Sequence, residues 1–305
     1  MVDGLVHVAL LILMPLPMLG LINRVKSIAA GRKGPPILQP VYDVVKLLQK
    51  GAVYSRTTTW LFVAGPIVAL ASSLLAALIV PLASTTSPFG FPADVFVFAY
   101  LLGVGRFFTM TAALDTGSAF EGMGASREAA YAALAEPALF LALMIVCIPA
   151  HSASFSDAFA SIPAAGGLLR HPGLLLATLS LGVVLLAEAS RIPVDDPNTH
   201  LELTMIHEVM VLDHGGPDFA FIQIGYALKF FVLGAVLVHL VLPIPASGWM
   251  APVLFVAGQA GVAITVGIIE SFMARLRLTR VPQFLIGACV VAAVGVLVLF
   301  TGGRP

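Results

Sequence analysis

Residues 219–242 read FAFIQIGYALKFFVLGAVLVHLVL, a long apolar run with a single Lys, Lys229, near its middle. A helix that crosses a bilayer needs about 20 predominantly apolar residues, and this run exceeds that. A lysine at the centre of such a helix costs about 2.5–3.5 kcal/mol on insertion scales. Lys229 must therefore face a cavity or a partner, so one stretch predicts both a membrane span and a functional position. Seven further stretches meet the same length test: Leu5–Ile22, Trp60–Ala83, Ala93–Leu114, Tyr131–Ala150, Leu168–Ala187, Ala251–Ile269 and Pro282–Phe300. The Leu168–Ala187 run is the weakest, because Gly166, Gly167, Arg170 and Pro172 crowd its start. The expected fold is all-α: a single polytopic membrane bundle of about eight transmembrane helices over residues 1–305. No internal repeat stands out, which argues against the inverted-repeat plan of many transporters.

Composition agrees. Of 305 residues, 59% are hydrophobic and 10% charged, against about a quarter charged in a soluble domain. Lipid must be the main solvent. Lys plus Arg and Asp plus Glu number 16 each, so no bulk charge attracts nucleic acid. Cys147 and Cys289 lie in apolar runs without a CxxC partner and read as packing residues. The chain lacks a Rossmann glycine fingerprint, a phosphate loop and an HExxH motif. It is expected to hold no cofactor or metal of its own, which leaves any redox centre to a partner. The first residues carry Asp3 and no basic region, and read as a retained helix rather than a cleaved leader.

Basic residues set the expected topology. Arg24, Lys26, Arg32, Lys33, Lys46, Lys50, Arg56, Arg127, Arg191, Arg275, Arg277 and Arg280 fall in loops on one side; Arg170 and Arg304 fall on the other. This predicts a multi-pass protein with both termini outside and the long loops in the cytoplasm.

Two of those loops are structured. In the loop over 23–59, Gly31, Gly34, Pro35 and Pro36 mark a turn. Beyond them, Val41–Lys50 sets Val41, Val44, Val45, Leu47 and Leu48 on one helical face, as expected of an interfacial amphipathic helix. The loop over 191–218 is acidic, with Asp195, Asp196, Glu202, Glu208, Asp213 and Asp218. An acidic loop beside a basic one points to a docking partner or a proton antenna. His200, His207 and His214 recur every seven residues and would share a helical face; a hydrated face is the favoured reading over a metal site.

Five ionisable residues fall in or at the ends of spans: Arg106, Glu136, Glu188, Lys229 and Glu270. Glu188 and Glu270 lie near span ends, where they either work in the membrane or reach water. Arg106 reads as an ion-pair partner for a carboxylate. Glu136 precedes Pro137, which loosens a helix backbone and can leave a hydrated pocket. Desolvation raises a carboxylate pKa and a neighbouring cation lowers it. Carboxylates poised between the two, joined by water, would make a proton path.

The loops also carry a resemblance. GRKGPP (31–36), LQP (38–40) with Asp43 and KLL (46–48), GMGASRE (122–128), AEP (135–137) and AEASRIPVDDPNTHLEL (187–203) together resemble the complex I subunit 1 family, across nearly the whole chain. Within it, RIPVDDPN (191–198) and THLELTMIHE (199–208) are similar to the formate hydrogenlyase and energy-converting nickel–iron hydrogenase branch rather than the quinone-site branch. The resemblance implies a non-catalytic anchor in a bacterial or archaeal cytoplasmic (inner) membrane, whose loops 23–59 and 191–218 dock a peripheral redox arm. That arm would comprise hydrogenase-like large and small subunits and a ferredoxin-like iron–sulfur subunit, with antiporter-like subunits in the membrane. The nickel–iron site and iron–sulfur clusters would sit on those partners. It further implies proton (or sodium) translocation along Glu136, Glu188, Glu202 and Glu208, with Asp195 and Asp196 at the mouth. Lys229 and Glu270 join the path from their place in the spans. Arg32, Arg127 and Arg191 would hold the acidic loop or the docking face. The alternatives are a quinone-chamber subunit of an NADH-quinone oxidoreductase and an independent ion transporter.

Overall fold

The computed structural model describes residues 2–164, 168, 171–195, 205–246 and 248–302. Twelve helices and no strands occur among them. They are α1 (Val2–Leu13), α2 (Pro15–Ala29), α3 (Gln39–Leu48), α4 (Trp60–Ile79), α5 (Asp94–Asp115), α6 (Ala119–Cys147), α7 (Phe155–Ala164), α8 (Pro172–Glu188), α9 (His207–Met210), α10 (Gly216–Val241), α11 (Met250–Phe272) and α12 (Val281–Gly302).

Six of them, α4, α5, α6, α10, α11 and α12, are long and apolar enough to cross a membrane. A seventh span is the bent pair α1–α2, with an angle of 46° between its halves. The break falls at Met14 and Pro15, where the proline lacks an N–H and its ring crowds the carbonyl four residues back. The eighth apolar element, α8, has 17 residues, at the lower bound for a span. The protein is thus a polytopic helical membrane protein.

Two boundaries differ from expectation. The span expected at Tyr131–Ala150 begins at Ala119, so Arg127 stands on a helix rather than in a loop. The small residues of Gly122–Ser126 favour close packing there: a Cβ on Gly124 would lie 2.9 Å from the carbonyl oxygen of Ile206 and from Cγ of Met210. The interfacial helix covers Gln39–Leu48 instead of Val41–Lys50. Val44 is its buried residue, while Tyr42, Val45 and Leu48 are exposed.

Helix α10 is the hub. It packs against α4, α8, α11, α2 and α3, and its segment from Ala227 to Leu240 is buried throughout. On either side, α4 pairs with α5, and α12 with α6 and α8. The described segments over 30–59, 116–118, 189–195, 205–215 and 273–280 gather at one end, termed here the loop end. Thr59 Oγ1 donates to Asp115 at 2.8 Å, Arg127 to the carbonyl of Met205 at 2.9 Å, and the Leu276 N–H to the carbonyl of Pro193 at 3.0 Å.

Candidate functional site: a buried network of charges

The end of α8 sets up the site. Directly after Glu188 the chain turns through Ser190 in the left-handed region, at φ 52°. The Arg191 N–H donates to the Leu186 carbonyl at 2.8 Å, and the Ser190 N–H to that of Ala187 at 3.2 Å. This pair of bonds satisfies the last helical carbonyls. It stops the helix with Glu188 still inside the bundle and sends Arg191 back across it.

Arg106, from the middle of α5, is 7% exposed and meets three carboxylates. Its guanidinium donates to Glu188, lies 2.6 Å from Glu136 and places Nε 3.3 Å from Glu128. Lys229 Nζ, from α10, lies 2.8 Å from the other Glu188 oxygen. Glu128 in turn sits 3.1 Å from Nε2 of His207, whose Nδ1 is 3.6 Å from Asp195. Asp195 accepts from the His207 backbone N–H at 3.1 Å and pairs with Arg275 at 2.9 Å. Seven elements, α5, α6, α8, the segment after α8, α9, α10 and the segment before α12, thereby share one chain of alternating charges. Four carboxylates (Glu128, Glu136, Glu188, Asp195) face four basic groups (Arg106, Lys229, His207, Arg275). Balanced pairing of this kind is what a low-dielectric interior requires.

His207 lies in the loop, outside the spans. Burial works against its charged form, but the adjacent Glu128 carboxylate, with Asp195 behind it, outweighs burial and holds its pKa up to about 9. Burial likewise opposes the charged Asp195, yet His207 and Arg275 keep its carboxyl below the ordinary value. Among the described residues His214 has no such partner: stacked on Phe62 with ring centroids 3.9 Å apart, it is pushed by burial down to about 4.

A small cavity of about 30 Å³ opens among Arg106, Glu128, His207, Tyr226 and Lys229. Such a volume admits about one or two waters. The buried Tyr226 hydroxyl, which has no protein hydrogen-bond partner among the described residues, lines it. A second, of about 10 Å³, lies between Glu128, Glu188 and His207.

The predicted residues separate into groups. Glu136, Glu188, Asp195 and Lys229 enter the network with Arg106. Glu188 and Glu270 are 4% and 5% exposed and do not reach out to water. Glu270 belongs to a second cluster, with Lys26 at 2.8 Å and Arg191 at 3.5 Å. The Arg191 guanidinium also lies over the Phe230 ring, 5.8 Å from its centroid. Glu208 is half-buried on α9, and Arg32 is exposed. Asp196, His200 and Glu202 lie outside the described residues. His207 and His214 do not share a helix face, because α9 ends at Met210. Sequence reasoning missed Glu128 and the pairing role of His207. Glu128 stands two turns before Glu136 on one helix, a spacing that puts both on neighbouring rows; assigning 122–128 to a loop hid it.

The sequence matches the family described as NADH dehydrogenase over residues 3–301. The chain belongs to the NADH dehydrogenase subunit 1 family. It is 34% identical to hydrogenase-4 component C of Escherichia coli (strain K12) over 236 residues, which is 77% of this chain and 73% of that protein. It is 30% identical to formate hydrogenlyase subunit 4 of the same organism over 291 residues, 90% of this chain and 91% of that one. A subunit of the NADH-quinone oxidoreductase of Syntrophotalea carbinolica (strain DSM 2380 / NBRC 103641 / GraBd1) is 27% identical over 263 residues, 81% of this chain and 77% of its own. Among solved structures, a chain of the membrane-bound sulfane sulfur reductase, an archaeal respiratory membrane complex, shares the fold. The TM-score is 0.85 at 22% identity, covering 97% of this chain and 99% of that chain. The family resemblance read from the loops thus holds, and the hydrogenase and formate hydrogenlyase relatives accord with the branch it favoured.

Proposed function

We propose that this protein is the membrane anchor and ion-coupling subunit of a formate hydrogenlyase or energy-converting hydrogenase complex, linking electron transfer in a peripheral arm to proton movement in the membrane. The observation that carries the reading is Arg106, buried in a span and shared by Glu128, Glu136 and Glu188. Arginine stays charged in proteins, so it acts as a fixed clamp and the carboxylates are the groups that exchange protons. Water in the cavity beside Tyr226 would bridge them. His207 is where the loop meets the network: displacing it would remove a positive charge from Glu128, which favours proton uptake there. A peripheral arm seated on loops 23–59 and 191–218 would have that leverage. The nickel–iron and iron–sulfur groups are assigned to the arm's hydrogenase-like and ferredoxin-like subunits, and the long loops to the cytoplasmic side.

Antiporter-like membrane partners also fit. The Glu136 side chain is 45% exposed within α6. It borders an open groove of about 470 Å³ between α5 and α6, with Tyr100, Val104 and Phe107 on its wall. A carboxylate does not face hydrocarbon uncovered, and a neighbouring membrane subunit would cover it.

Mild-detergent purification of the tagged chain, with mass spectrometry and metal analysis, tests the assignment. Nickel, iron and a hydrogenase-like large subunit in stoichiometric amounts are expected, with Val104→Cys cross-linking to a membrane partner. A flavin-containing partner with bound quinone would instead move the chain to the complex I branch, and recovery of the chain alone would sink both.

A further inference from the structure

Glu270 is a buried carboxylate of α11 that the Arg106 network does not contain, and it lines neither of that network's two small cavities. Its two oxygens are divided between cations from different parts of the chain. Oε2 lies 2.8 Å from Nζ of Lys26, in the last turn of α2, and Oε1 lies 3.5 Å from Nη1 of Arg191. A carboxylate shared in this way ties three segments together. What it does for the network depends on what Arg191 does.

The Arg191 main chain stands between two members of the network. Its N–H donates to the Leu186 carbonyl at 2.8 Å, which closes α8 just after Glu188. Its carbonyl accepts from the N–H of Val194 at 2.9 Å and of Asp195 at 3.2 Å, forming the turn that delivers Asp195 to His207. Ser190, directly before it, is left-handed at φ 52°. A residue with a side chain keeps that conformation only where its surroundings hold it. The Arg191 side chain supplies the hold: it lies over the Phe230 ring and reaches Glu270. Phe230 follows Lys229 on α10, and successive helical residues point about 100° apart. The turn is therefore gripped from a different face of the hub than the one that carries the network.

We infer that Glu270 is a positioning residue: backed by Lys26, it holds the Arg191 side chain, and through the Arg191 main chain it fixes Glu188 and Asp195 in the buried network. Lys26 stands three residues before the end of α2, where the segment 30–59 begins, so the same clamp joins the first loop to the start of the acidic one. What the fixed carboxylates then do rests on the function proposed above; that Glu270 fixes them does not.

The test is hydrogen–deuterium exchange of the intact complex, read by mass spectrometry on peptides covering residues 186–195. Glu270→Gln should speed exchange of the Arg191, Val194 and Asp195 amides about tenfold, and Glu270→Asp should recover part of the protection. Arg191→Gln with Glu270→Gln should exchange no faster than Arg191→Gln alone, because the two act as one unit. Lys26→Gln, at the partly exposed end of the cluster, should give a smaller increase and keeps the test decisive should the buried variants fail to assemble. In inverted vesicles, proton movement per electron should fall in Glu270→Gln and recover in part in Glu270→Asp. Exchange equal to the wild type in both Glu270→Gln and Lys26→Gln would overturn the proposal. Proton movement lost while exchange stays unchanged would overturn it too, by making Glu270 a proton carrier in its own right. Proton movement unaffected by Glu188→Gln, with exchange accelerated in Glu270→Gln, would count against the proposed function and support the clamp.

Discussion

Arg106 is the residue on which most of the buried charge depends. Replacing it with glutamine leaves Glu128, Glu136 and Glu188 without their shared cation, and breaking a buried pair costs about 3–5 kcal/mol. Arg106→Gln should lower the melting temperature sharply in detergent, with Glu188→Gln added to it restoring part of the loss. A double-mutant coupling of about 0.5–3 kcal/mol is expected; additive losses would mean that the two groups do not interact. His207 gives a pH test. Its pKa is raised from the ordinary 6.5 to about 9, so its charge stabilises the docked loop fully below pH 6.5. That contribution is lost as pH rises through about 9. Protease cleavage near residues 205–214 should accelerate above that pH in the wild type, whereas His207→Gln should be cleaved readily at all pH values. None of these partnerships is legible in the sequence. Arg106 meets Glu136 and Glu188 from 30 and 82 positions away, and only burial identified both ends as residues in need of a partner.

Elements were legible to the extent that lipid dictates them. Each apolar run reads as a span because hydrocarbon offers the backbone no hydrogen bonds, and all eight runs correspond to helices or a helix pair. Where protein rather than lipid surrounds the backbone, hydropathy is silent. That is why the start of α6 at Ala119 escaped notice: residues 119–130 are polar enough for a loop, yet they are held by α9 and the Met205 carbonyl. The contact turns on Gly124, whose missing side chain lets Ile206 and Met210 approach. Gly124→Leu should overpack it by about 1–3 kcal/mol and push α9 away from Glu128. The expected readout is loss of peripheral subunits in pull-downs while the chain stays in the membrane. Full retention would show that α9 takes no part in docking.

At the scale of the molecule, one balanced line of charge runs from Asp195 and Arg275 at the loop end, through His207 and Glu128, to Arg106, Glu136, Glu188 and Lys229 inside the bundle. Lys26, Glu270 and Arg191 make a second knot that ties α2 and α11 to the turn after α8. Asp195 and His207 of the acidic loop are thus connected to the ionisable residues inside the bundle. The most direct test of coupling is proton movement itself. Inverted vesicles carrying the intact complex would be followed with a fluorescent pH probe, for the wild type and Glu188→Gln at matched rates of electron transfer. Electron transfer that continues while proton movement falls tenfold or more is the predicted result; proton movement equal to the wild type would contradict a path through Glu188.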